Sequence, residues 1–97
     1  MIIRIVRMTF RPAEVEAFLQ LFHATKQQIR HFEGCQRLEL LKDVNQPNVF
    51  FTYSWWDSEA HLNKYRFSDL FKQVWSETKI KFEDKPQAWS LVNETIV

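Results

Sequence analysis

The stretch FFTYSWWDSEAHLNKY, Phe50 to Tyr65, sets two adjacent tryptophans at the end of a strand pattern, immediately before an Asp-Ser helix start. Successive strand residues point to opposite faces of a sheet, so Trp55 and Trp56 cannot share one pocket and each face needs something large to press against. Upstream, CQRLELLK from Cys35 to Lys42 reads as another strand, and the polar DVNQPN between the two suits an antiparallel hairpin. Downstream, Asp57 or Ser58 can cap a helix that carries Glu59 in its first turn, where the dipole favours a carboxylate. The helical pattern runs from Glu59 to about Phe82, yet Ser68-Asp69 in its middle resembles a fresh cap, so two short helices or one bent helix are expected. Phe67, Phe71, Val74, Trp75, Thr78 and Phe82 form the inward stripe of its later part.

Toward the N-terminus, Ile2, Val6, Met8 and Phe10 alternate with Ile3, Ile5, Arg7 and Thr9, the pattern of a first strand. Pro12 suits a first helical turn, and Val15, Phe18, Leu19, Phe22, Ile29 and Phe32 recur as one stripe ended by Gly34, an amphipathic helix of about five turns. After Pro86, AWSLVNETIV supplies a fourth strand with β-branched residues at its end. The order β-α-β-β-α-β is the split βαβ, ferredoxin-like α+β arrangement: a four-stranded antiparallel sheet with its helices on one face. The other face is bare, yet the strands put apolar residues on both faces: Val49, Phe51, Tyr53 and Trp55 oppose Phe50 and Trp56 in the third strand, and Trp89 and Leu91 oppose Ala88 and Val92 in the fourth. An exposed patch of that size calls for a cover, and the short connections leave no loop to provide one, so a second copy of the sheet is expected against it in a homodimer.

Ninety-seven residues hold one small domain, residues 1–97, and four Trp and nine Phe are a heavy apolar load for so little interior. A net charge of +1 provides no field for nucleic acid or an anionic membrane. Arg4 and Arg7 interrupt the N-terminal apolar run, so neither a signal peptide nor a membrane span is expected there. The lone Cys35 excludes an internal disulfide framework, reads as a buried strand residue and agrees with a cytoplasmic location. With one Gly there is no phosphate-cradling loop, and no His, Asp or Glu cluster has metal-ligand spacing.

WDSEAHLNKYRFSDLF, from Trp56 to Phe71, together with HFEGCQRLEL after the first helix, resembles the antibiotic biosynthesis monooxygenase domain family. The resemblance implies a dimeric α/β barrel of two ferredoxin-like protomers, with a pocket in each between sheet and helices. Members of that family include cofactor-independent monooxygenases that oxidise phenols and quinols with dioxygen, haem-degrading enzymes, and proteins without assigned activity. Haem-degrading members use a histidine on the later helix as iron ligand, where this chain has Trp75. They also use an asparagine in the first strand, here Val6, and a tryptophan on the preceding helix, here Tyr65. An indole cannot ligate iron, so no haem is implied, nor any other cofactor or metal.

Oxygenation without a cofactor requires a substrate able to give an electron to dioxygen, a dry aromatic cavity, and a base or hydrogen-bond partner. Tyr65 stands where many members carry a histidine, and His61, one turn earlier on the same helical face, can supply an imidazole. His61 and Tyr65 are therefore the candidate catalytic pair, with Trp56, Ser68, Phe71 and Trp75 as candidate contacts to a small aromatic or hydrophobic ligand. The competing reading is a non-catalytic dimeric barrel that sequesters such a ligand or serves in a stress response. Ser54 and Ser68 have no partnered His-Asp constellation, which leaves no case for a nucleophilic hydrolase.

Overall fold

A computed structural model describes all of residues 1–97. Strand β1 spans Ile2–Thr9, helix α1 Val15–Arg30, β2 Cys35–Lys42, β3 Val49–Trp56, α2 Glu59–Arg66, α3 Asp69–Lys79 and β4 Gln87–Leu91. The strands form one antiparallel sheet in the order β2-β3-β1-β4. This is the ferredoxin-like α+β architecture expected from the element order, with the later helical region divided in two.

That division has a local cause. The Ser68 side chain accepts a hydrogen bond from the Phe71 amide at 3.1 Å and donates to the Tyr65 carbonyl at 2.6 Å, closing α2 and opening α3 with one hydroxyl. At the other end of α2 the cap is Ser58, not Asp57; its oxygen accepts from the His61 amide. Phe67 falls in the junction between the helices, off the α3 stripe to which its spacing assigned it, and is 76% exposed. The first helix is also shorter than expected. Pro12–Glu14 form a 3-10 turn, and α1 stops at Arg30, before Gly34 turns the chain at φ 86° into β2. A Cβ at Gly34 would collide with the His61 ring, so this glycine serves both the turn and the close approach of α2.

The fourth strand ends early. Its last pair with β1 is Ile3–Leu91, and β1 itself starts at Ile2, so Thr95, Ile96 and Val97 have no strand to lie against. Their β-branched side chains favour a strand only where a neighbour exists.

The register fixes both faces. Arg4 lies beside Ser54 and Ser90, Val6 beside Thr52 and Ala88, and Met8 beside Phe50, all on the helix side. Ile3 lies beside Trp55 and Leu91, Ile5 beside Tyr53 and Trp89, and Arg7 beside Phe51, all on the bare side. A bulge between Cys35 and Arg37 lets Cys35 pack inward with Trp56 while Arg37 lies over the Trp55 ring at 5.6 Å.

The covered face does not hold one continuous core. One cluster joins Met8, Phe10, Phe18, Phe22 and Phe50, and a second joins Cys35, Trp56 and Leu62 with Ile2, Phe32 and Tyr65 against them. Aromatic rings on α2 and α3 bridge the two. Trp56 stacks on Tyr65 at 4.9 Å, Tyr65 meets Phe71 at 5.3 Å, Phe71 stacks on Trp75 at 5.8 Å, and Trp75 meets Phe82 at 5.6 Å. Phe82, paired with Phe10 by an isolated bridge, returns the chain of rings to the first cluster. The space beneath this bridge is hollow.

Candidate active site

The hollow is a partly open cavity of about 320 Å³, at the small end of the range of ligand pockets. Strands β1 and β3 form its floor through Arg4, Val6, Thr52, Ser54 and Trp56, and α3 forms a wall through Phe71, Val74 and Trp75. Ala88 on β4 and Pro86 complete the side nearest the sheet edge. Every residue of β4 is exposed, and no helix packs substantially on it.

Four of the six residues singled out from sequence, Trp56, Tyr65, Phe71 and Trp75, come together on this lining. Trp56 is almost completely buried, and its indole N–H donates to Ser54 Oγ at 3.0 Å, which meets the need of its one polar atom. Tyr65 lies against Trp56, Phe32 and Phe71, and nothing in the chain hydrogen-bonds its hydroxyl. Burial, and secondarily the neighbouring Cys35, push its ionisation well above that of a free phenol. That shift favours the neutral phenol, a hydrogen-bond donor, over the phenolate that a base would require.

Ser68 and His61 are placed outside the lining. The Ser68 hydroxyl is spent on the junction of α2 and α3. His61 packs against Gly34, and its Nδ1 is 2.7 Å from Ser58 Oγ. Because Ser58 Oγ already accepts from the His61 amide, its own hydrogen is free to go to Nδ1. The imidazole lies one turn from Tyr65 on α2, at the joint between this helix and the turn that follows α1. His23 and His31, on α1 and just after it, are exposed as expected.

Among the lining residues that the sequence reading did not single out are its two charged side chains, Arg4 and Arg66. Arg4 projects from the sheet floor and donates to Ser90 Oγ at 2.9 Å, while Arg66, exposed at the end of α2, stands at the cavity rim. Burial, and then the positive charge of Arg66, lower the Arg4 pKa. The signal was present in the alternation: Arg4 shares its face with Ile2, Val6 and Met8, a charge at a core-facing register position. The lining holds no Asp, Glu, Lys or His, and no three His, Cys, Asp or Glu side chains gather as a metal site. Neither histidine nor cysteine reaches the cavity, so it does not fit a haem held through an imidazole or thiolate ligand.

Comparisons with known proteins bear on the fold and the family. The family model for antibiotic biosynthesis monooxygenase matches residues 1–75. A crystal structure of an antibiotic biosynthesis monooxygenase superposes with a TM-score of 0.91 at 16% identity, covering 98% of this chain and 100% of that one. A conserved protein from Methanosarcina mazei gives 0.87 at 20% identity over 94% and 91% of the two chains. A protein from Mycobacterium tuberculosis gives 0.89 at 17% identity over 98% and 96%. No curated protein matches at a significant level. No helix is long and apolar enough to cross a membrane. The structural likenesses, at such low identity, establish the fold, and the match over three quarters of the sequence establishes the family: the chain belongs to the antibiotic biosynthesis monooxygenase family.

Proposed function

We propose that residues 1–97 form a single domain that acts as a cofactor-independent monooxygenase on a small aromatic substrate, a phenol or quinol, with dioxygen as oxidant. The observation that carries this is the aromatic-walled cavity where Trp56, Tyr65, Phe71 and Trp75 meet, in a chain of this family. An electron-rich ring held there gives an electron to dioxygen, and the resulting radicals recombine on the ring. One oxygen atom stays on the product and the other leaves as water. For a phenol going to a quinone the ring supplies all the electrons, so no reductant is required. The protein's part is to orient the ring between flat side chains, exclude bulk water and present the Tyr65 hydroxyl to a substrate oxygen.

The test is oxygen uptake on addition of a panel of simple phenols and hydroquinones, with product analysed after reaction under ¹⁸O₂. Incorporation of one labelled atom supports the proposal; protein that binds the rings but neither consumes oxygen nor alters them supports the ligand-sequestering alternative. Tyr65→Phe removes the hydroxyl and keeps the ring, and is expected to slow turnover with little effect on folding. His61→Ala separates two roles for the imidazole. Lost turnover with an unchanged melting temperature gives it a part in proton transfer, and lost stability alone assigns it to the Gly34 joint.

The working unit we propose is a homodimer in the cytoplasm, with the bare sheet faces of two copies together. Ile3, Ile5, Phe51, Tyr53, Trp55, Trp89 and Leu91 share that face by register, and Trp89 and Leu91 are 42% and 46% exposed. The Trp55 indole N–H is sealed from solvent with no hydrogen-bond partner in its own chain. A two-fold related copy presents the same apolar set and removes the patch from water.

A further inference from the structure

Arg4 and Arg66 both line the cavity, and neither belongs to any of the chain's three ion pairs, Arg11–Glu14, Arg37–Glu39 and Lys64–Glu33. The lining contains no carboxylate, so the partly buried Arg4 and the exposed Arg66 share one mostly apolar space with no counter-charge among its residues. A cation drawn partly out of water beside another cation favours an anion between them.

We propose that the cavity binds its aromatic ligand as an oxyanion, a phenolate whose negative oxygen sits between Arg4 and Arg66. This rests on the aromatic-ligand reading above and supplies what that reading lacks, a means of ionising the substrate. The lining has no residue able to take a proton: Arg4 and Arg66 are cations, Tyr65 is a neutral phenol, and Asp, Glu, Lys and His are absent. A phenol entering the site instead loses its proton to solvent, because the two cations favour the charged form. A phenolate gives up an electron to dioxygen far more readily than the phenol. Burial, and then Cys35, raise the Tyr65 ionisation, so its hydroxyl stays neutral beside the bound anion.

The experiment uses 4-nitrophenol, whose phenolate absorbs in the visible and whose ionisation falls near neutral pH, and its uncharged methyl ether, 4-nitroanisole. Visible titration of the bound phenol is expected to place its pKa roughly 1–3 units below the free value. The phenolate is expected to bind at least about tenfold more tightly than the ether. Arg4→Gln and Arg66→Gln should each move the bound pKa back toward the free value, whereas Lys72→Gln, which removes an exposed charge outside the lining, should not. An unshifted or raised pKa for a phenol that binds as well as its ether overturns the oxyanion site and leaves the aromatic cavity intact. Failure of both rings to bind overturns the cavity reading together with this inference. Neither readout requires turnover, so an absence of oxygenase activity does not affect the outcome.

Discussion

The two faces of the sheet are made from the same four strands and finished in opposite ways. The helix-covered face is divided, two solid clusters with a cavity and a charged Arg4 between them. The bare face, on which no helix packs, carries Ile3, Ile5, Phe51, Tyr53, Trp55, Trp89 and Leu91, with Arg7, Arg37 and Glu39 among them. The adjacent tryptophans summarise the contrast. Trp56 is buried with its indole N–H bonded to Ser54, while the Trp55 N–H has no partner. A face that is covered yet hollow suits a ligand, and a face that is apolar yet uncovered suits a copy of itself.

The contrast can be broken most severely at Trp56. Trp56→Ala removes the ring that joins Tyr65 and Phe32 to Cys35 and Leu62, and should cost about 3–5 kcal/mol of stability in chemical denaturation. Trp55→Ala, one residue away, should leave the folded protomer less affected and weaken self-association instead. A charge on the bare face sharpens the same point. Ile5→Asp should sediment at the protomer mass with an unchanged far-UV circular dichroism spectrum, whereas the wild type is expected to sediment as a dimer.

Smaller effects come from the titrating groups of the second cluster. Burial raises the pKa of Cys35, as it does that of Tyr65. A raised folded-state pKa means that the stability is fully present below the unfolded value and is lost as pH rises through the folded one. The window therefore opens near pH 8.5 for the thiol and about 10 for the phenol. Melting temperature should fall above these values, and Tyr65→Phe should flatten the upper part of the decline. The mildest perturbation is Ser68→Ala, which removes the α3 cap and should cost about 1 kcal/mol in thermal unfolding.

The sequence disclosed what depends on period and local chemistry. Alternation separated Trp55 from Trp56, the polar DVNQPN located the hairpin, and Ser68 divided the helices at the observed place. The stripe Phe71, Val74 and Trp75 identified a cavity wall because helical spacing states which side chains share a face. Features set by neighbours distant in sequence were not legible. Phe67 has an apolar side chain but lies at a junction, and the β-branched tail lacks a neighbouring strand. His61 is one turn from Tyr65, yet the approach of Gly34, far back in the chain, governs what its ring touches. Arg4 could have been read from its register, but the meaning of that charge depends on Arg66 and on the space between them.

If the covered face keeps its hollow for a reacting ligand, filling that hollow must stop the reaction. The most direct measurement is oxygen uptake with a phenol or hydroquinone substrate by the wild type and by Ala88→Phe. Ala88 lines the cavity from an exposed edge strand, where a larger ring narrows the space without entering either core cluster. Measurable uptake by the wild type and a loss of at least about tenfold in the variant are expected, with melting temperature and sedimentation unchanged. Equal uptake by the two proteins, or none by the wild type across the substrate panel, would contradict that role.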